Sequence, residues 1–228
     1  MYTKQNGGNN FTMNNTKTTV YLIRHGQSLG NLHNICLGHT DLDLTDLGYI
    51  QAEATAKALA DIDFAAIYSS DLVRARNTAA PHCRIRGVEP IVSEAFRELY
   101  FGDWENSSVD YLKAEFTEEF TIGWRQIFGT FTPPKGECVI DMAKRMIEGV
   151  KNAAEEHRGE TILIVSHAAA IRALWGEISG LEPATWGTET RFPSNASYSV
   201  VEYENGVLTP ISYSNDEHLG DSATNIKH

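Results

Sequence analysis

The amino-acid sequence predicts an α/β fold: a three-layer α/β/α domain with a mostly parallel central sheet, an antiparallel edge and a helical lid insertion. Three observations carry that prediction. Short apolar runs at residues 20–23, 65–68 and 161–166 alternate with stretches of helical periodicity, the pattern of a parallel sheet covered on both faces. Two further strand-like runs, 198–203 and 207–211, flank Glu204-Asn205-Gly206, a hairpin signal that sets an antiparallel pair at the sheet edge. Between Tyr100 and Phe131, the aromatics Phe101, Trp104, Tyr111, Phe116, Phe120, Trp124 and Phe128 crowd a stretch without strand periodicity. That stretch reads as a helical insertion over residues 100–135.

Length and composition bound the rest. The 228 residues, 42% hydrophobic and 21% charged, suffice for one sizeable core, so a single domain over residues 17–213 is expected. Residues 1–16, rich in Asn, Gly and Thr, read as a disordered tail in which Met13 offers an alternative start. Residues 214–228 read as a loose C-terminal tail. A formal net charge of -11 argues against a nucleic-acid or anionic-membrane partner, since either needs a broad basic surface. The N-terminus lacks an apolar signal region, and no apolar run is long enough to span a bilayer. Cys36, Cys83 and Cys138 are odd in number and widely spaced, which implies a reduced protein and a cytoplasmic location.

Taken in order, the first strand runs out into Arg24, His25 and Gly26. A guanidinium, an imidazole and a glycine that lets a ligand approach the backbone are suited to receiving a phosphate. A polar loop over residues 27–44 leads to a helix with Thr45 as N-cap and Leu47, Ile50, Ala54 and Ala58 on its predicted buried face. The second strand ends at Ser69-Ser70-Asp71. The next helix, residues 72–80, carries Arg74 in its first turn and is expected to close at Pro81. A brief strand at 90–92 precedes Phe96, Arg97 and Glu98. After the aromatic insertion and the Pro133-Pro134 break, a long amphipathic helix carries Val139, Met142, Met146 and Val150 on its core stripe and ends near His157 and Gly159. The strand that follows ends in Ser166 and His167. Two parallel-type strands ending in histidine point to one shared site, because ligands of open α/β sheets sit at the carboxyl ends of the strands.

Five separated features then line up in order. They are Arg24-His25-Gly26, Asn31 in the same loop, Ser69-Ser70-Asp71-Leu72-x-Arg74-Ala75-x-x-Thr78-Ala79, Glu98 within Arg97-Glu98-Leu99-x-Phe101-Gly102-x-Trp104-Glu105, and Ser166-His167. Together they resemble the histidine phosphatase superfamily, also called the phosphoglycerate mutase-like family. Leu44-Thr45-x-x-Gly48-x-x-Gln51-Ala52 and Asn215-Asp216-Glu217-His218-Leu219 are similar to it as well. The resemblance implies a phosphohistidine mechanism with no metal and no other cofactor. In it His25 is the nucleophile, Arg24, Arg74 and His167 hold the equatorial oxygens, and Glu98 is general acid and base. Gly26, Asn31, Gly38 and Ala168 would bind the substrate, a small-molecule phosphate monoester. Homo-oligomers are common in the family. His33, His39, His82, His157, His218 and His228 take no role. His39, Asp41 and Asp43 superficially resemble metal ligands but read as turn caps facing water. The lid aromatics read as packing, with one or two rings reaching the substrate.

The chain departs from the family pattern at a few positions. Ala168 stands where many members have Gly, and Leu37 where relatives often carry Gln or Thr. Asn106 replaces a common Gly, and Gln27 a common Glu. Every core catalytic group is retained. Residues 101–137 hold Asp103, Glu105, Asp110, Glu115, Glu118, Glu119 and Glu137 against Lys113, Arg125 and Lys135, seven acids against three bases. A mutase must hold a second anionic group, so this lid points to a phosphomonoesterase whose substrate has a neutral or apolar organic part. The Phe101-Gly102-Asp103-Trp104-Glu105 run also resembles the phosphatase branch. Two alternatives stay open: phosphoglycerate mutase-type transfer, and a phosphate-ligand binding protein with a vestigial site, which Ala168 and Leu37 would favour.

Overall fold

The computed structural model describes residues 16–224. Residues 1–15, with Met13, and residues 225–228 lie outside the described residues, so the reading of both tails is met only at their inner ends. In chain order the elements are β1 (Thr18–Arg24), α1 (Leu29–Leu32), α2 (Asp46–Ala58), β2 (Ala66–Ser69), α3 (Val73–Arg86), β3 (Ile91–Val92) and α4 (Val109–Glu115). They continue with α5 (Val139–Glu156), β4 (Thr161–Ser166), α6 (Ala168–Ile178), α7 (Trp186–Glu189), β5 (Tyr198–Glu204) and β6 (Val207–Asn215). The sheet has six strands in the order β3-β2-β4-β1-β5-β6. The first four are parallel, and β5 and β6 form the antiparallel edge. Asn205 and Gly206 both take positive φ, 50° and 84°, the backbone of a hairpin turn matched to strand twist.

The central strands are apolar on both faces because both faces are covered. Val20, Leu22, Ile162 and Ile164 pack toward the α5 and α6 layer, where Val139, Met142, Met146 and Val150 are fully buried as the helical stripe predicts. Ile23, Ile67, Leu163 and Val165 point to the other layer and meet Ala75, Ala79 and Cys83 of α3. The insertion after Phe101 is helical: a 3-10 turn at Gly102–Trp104, then α4, a π-helical segment at Glu119–Gln126 and a second 3-10 turn at Phe128–Thr130. Trp104 lies among its aromatics, with the rings of Phe116, Phe120 and Phe131 within 5.7 Å of its own. No helix among the described residues is long and apolar enough to cross a membrane.

Three expectations are corrected. Thr45 does cap α2, accepting from the Gly48 N–H at 3.1 Å, but the buried face is Gly48, Gln51, Ala52, Thr55 and Ala56. Ile50 of the expected face is 58% exposed. The helix lies so close to the end of β1 and to the C-terminal turn that small and polar groups, not bulky ones, fill the contact: Gln51 donates to the Ser222 carbonyl and Thr55 to the Ala196 carbonyl. Pro81 does not close α3, which runs on to Gly87 in the left-handed region (φ 66°). The turn beyond the proline is held by the burial of His82 and Cys83 and by Arg86, which donates to the carbonyls of Leu59, Ile62 and His82. The domain does not end at residue 213 either. β6 continues to Asn215, a 3-10 turn at Glu217–Ser222 packs on α2, and Thr224 hydrogen-bonds Asn195.

Candidate active site

The strand register brings the two histidines together. β1 and β4 pair with Arg24 opposite Ser166, so His25 and His167 leave the sheet side by side, ring centroids 5.1 Å apart at 60°. His25 Nδ1 lies 2.7 Å from the Gly26 carbonyl. A carbonyl only accepts, so Nδ1 carries the proton and Nε2 keeps its lone pair. Burial, and then the charges of Arg74 and Arg24, hold His25 well below the usual histidine range and keep it neutral. Burial and the Arg74 charge do the same to His167.

Two guanidiniums converge on this pair. Arg24 donates from Nη1 to the Pro193 carbonyl at 2.7 Å, and Arg74 donates to the carbonyls of Thr40 and Gly38 at 2.9 and 2.7 Å. Burial lowers each to about 10, which leaves both cationic at neutral pH. Arg24 Nε and both ring nitrogens of His167 are buried without a partner. Unpaired buried polar atoms beside two cations are what an anion would satisfy. The Glu98 carboxylate sits against the start of α6. It accepts from the N–H groups of Leu99, Ala170 and Ala169 at 3.0, 3.1 and 3.2 Å, which fixes its position.

These groups open onto a cavity of about 340 Å³. Arg24, His25, Arg74 and Glu98 line it, as do Leu37, Phe101, Phe120, Trp124 and Phe192. Of the other residues singled out from sequence, Asn31, Gly38 and Ala168 line the cavity. Two do not meet its surface. His167 is fully buried beside His25. Gly26 gives its N–H to Thr78 Oγ1 at 3.0 Å, so it offers no donor to a phosphate. Its need for glycine is steric: a Cβ there would run into the Gly48 carbonyl oxygen of α2. Gly38 takes φ 54° and turns its carbonyl to Arg74. The Asn31 Oδ1 accepts from Ser28 N, Ser28 Oγ and Asn195 Nδ2, a capping box that starts α1. Asp41 caps the start of α3 by accepting from Val73 N at 2.7 Å, and Asp43 accepts from Leu44, Asn77 and Tyr49. Among the described residues no three His, Cys, Asp or Glu side chains gather as a metal would require.

Sequence reasoning missed the residues that hold the others. Glu105 accepts from His39 N and Thr40 Oγ1 and so fixes the loop whose carbonyls orient Arg74. Arg145 of α5 donates to the carbonyls of Ala95 and Arg97 at 3.0 Å and of Glu98 at 3.3 Å, and pairs with Glu137 at 2.9 Å. Asn195 donates to the His25 carbonyl and to Asn31, and Thr224 donates to Asn195. Glu105 closes the Phe101-Gly102-Asp103-Trp104-Glu105 run but takes no role from it, Arg145 carries no local signal beyond charge, and Asn195 sits in an ordinary Pro-Ser-Asn turn.

The match to a family model runs over residues 20–216, for the histidine phosphatase superfamily, branch 1. A relative from Bartonella tribocorum, a 2,3-bisphosphoglycerate-dependent phosphoglycerate mutase, is 35% identical over 170 residues, 72% of this chain and 82% of its own. Among solved structures, Bacillus stearothermophilus YhfR superposes with a TM-score of 0.82 at 28% identity, over 89% of this chain and 99% of that one. A mycobacterial glucosyl-3-phosphoglycerate phosphatase complexed with VO3 gives 0.78 at 26% identity, over 87% and 99%. With its motifs, its sheet order and its paired histidines in register, the chain belongs to branch 1 of the histidine phosphatase superfamily.

Proposed function

We propose that the protein is a metal-independent phosphomonoesterase that hydrolyses a small phosphorylated metabolite through a phosphohistidine on His25. The observation that carries this reading is the pairing of a neutral, correctly protonated His25 with two buried guanidiniums and a carboxyl group in one cavity. The Nε2 lone pair of His25 attacks phosphorus while the ester P–O bond breaks, and the leaving alkoxide takes a proton from Glu98. Arg24 and Arg74 neutralise the equatorial oxygens, which is most of what phosphoryl transfer needs, and His167, buried and neutral beside His25, supplies a hydrogen bond but no charge. Water then attacks the phosphohistidine, gives its proton to the Glu98 carboxylate, and His25 departs neutral. The three free cysteines fit a reducing, cytoplasmic setting.

The mutase reading is favoured by the name of the Bartonella relative. The cavity argues against it: Arg24 and Arg74 are the only Lys or Arg among the described residues that line it, and both are committed to the reacting phosphate. Phosphate release from p-nitrophenyl phosphate in the presence of EDTA, for wild type and His25→Ala, tests the proposal. Turnover that survives the chelator and is lost in the variant is expected. Faster interconversion of 2- and 3-phosphoglycerate than phosphate release would overturn it in favour of the mutase.

A further inference from the structure

We propose that the cavity contains an aromatic subsite, and that the natural substrate is the phosphomonoester of an uncharged alcohol carrying a planar aromatic or heteroaromatic ring. This deepens the phosphomonoesterase reading and rests on it. The wall is built from Leu37, Phe101, Phe120, Trp124 and Phe192. Trp124 and Phe192 lie nearly parallel, centroids 5.4 Å apart at 29°, and Phe101 meets Trp124 edge-on at 5.0 Å. A flat ring gains from edge contacts with such a cluster beyond the area it buries.

The wall is held in place from behind. Arg172 of α6 is buried with its guanidinium over Phe192 at 4.2 Å and over Phe128 at 4.6 Å. It donates to the carbonyls of Trp186, Gly187 and Thr190, which ties the segment before Phe192 to the helix. Leu37 packs on Gly30, where even a Cβ would find no room. The aromatic face is therefore preorganised, and a ligand need not order it.

The polar lining speaks against a hydroxyl-rich or anionic organic part. Sugar hydroxyls need acceptors, and three of the nearby amide oxygens already accept: Asn31 Oδ1 from three donors, Asn195 Oδ1 from Thr224, and Gln27 Oε1 from Thr45. Among the described residues, a second anion would find no Lys or Arg on the lining beyond the two that face the phosphate. Either group would be less well compensated for its desolvation there than a planar apolar ring.

The test compares kcat/KM for naphthylmethyl phosphate and glycerol phosphate, two esters of aliphatic alcohols, so that the ring and not a better leaving group is read. The expected preference for the naphthyl ester is about 100-fold, and Trp124→Ala or Phe192→Leu shrinks the ratio by about tenfold. In parallel, calorimetry on His25→Ala compares naphthylmethyl phosphonate with methyl phosphonate; tighter binding of the aryl compound by at least about tenfold supports the subsite. Equal turnover of the two esters, or equal binding of the two phosphonates, overturns the subsite and leaves the esterase reading standing. No phosphate release from either ester overturns the esterase reading, and the phosphonate comparison then still decides the subsite.

Discussion

Replacing Arg145 by lysine would remove a fork of hydrogen bonds that a point charge does not reproduce. Nε and Nη2 of Arg145 hold both oxygens of Glu137, at 3.0 and 2.9 Å, while Nη1 holds the carbonyls of Ala95 and Arg97 at 3.0 Å each. The carbonyls of Glu94 and Glu98 lie at 3.3 Å. A lysine keeps the ion pair and loses at least the two short carbonyl bonds. Bonds of this kind contribute about 1.5–3 kcal/mol each when buried, and with the two paired side chains 25% and 22% exposed, water replaces part of the loss. The expected destabilisation is about 2–3 kcal/mol. The functional effect is separable from it. The fork holds the backbone of Glu98, so its loss misplaces the proposed proton donor without touching the groups proposed to bind phosphate. The assay compares p-nitrobenzyl phosphate with p-nitrophenyl phosphate, which share a ring but differ in how much the leaving oxygen needs a proton. A kcat loss of about 10–100-fold on the benzyl ester and less than about threefold on the phenyl ester is expected, with KM little changed in both. Equal losses on the two esters would refute the positioning role.

Two further outcomes follow from buried groups away from the chemistry. His82 is buried with neither ring nitrogen partnered, and burial, then Arg86 and His218, lower it to about 3. Its folded value lies below the unfolded 6.5, so its contribution to stability is complete above pH 6.5 and is lost as pH falls toward 3. At pH 5 that loss is about 2 kcal/mol. In urea melts, His82→Gln should lose about 2 kcal/mol less than wild type between pH 7.5 and pH 5. Identical acid sensitivity in the two proteins would contradict it. Gly26→Ala drives a methyl group into the Gly48 carbonyl, so a cost of about 1–3 kcal/mol and a loss of activity through displacement of His25 are expected, read from the melting temperature and phosphate release. A melting temperature equal to wild type would refute the close packing.

The parts of the fold legible in the sequence were those where one physical demand dominates. A strand buried on both faces must be apolar throughout, so β1, β2 and β4 announce themselves, and α5 does so because its stripe faces a continuous core. The buried face of α2 was illegible because its contacts are close and polar, and small residues carry no apolar period. Pro81 misled because the loss of one N–H is local, while Arg86, His82 and Cys83 hold the turn beyond it. In the site, Arg24, His25, Arg74, Glu98 and His167 were readable as a set because phosphate chemistry restricts residue types. The supporting roles were not: Arg145 and Asn195 act through backbone carbonyls and a neighbouring amide and stand in no motif, and Glu105 showed as part of a motif without its task of holding His39 N and Thr40 Oγ1. Gly26 was identified for the wrong reason, as a phosphate donor, when its hydrogen atom in place of a Cβ is what lets β1 approach α2.

The central claim is that phosphorus is carried on His25. Turnover of p-nitrophenyl phosphate quenched in base, followed by mass spectrometry of peptides, tests it most directly. An acid-labile, base-stable phosphoryl group on the peptide bearing His25, absent from His25→Ala, is the predicted result. Steady release of phosphate with His25 unlabelled at every quench time, and with release undiminished in His25→Ala, would contradict it.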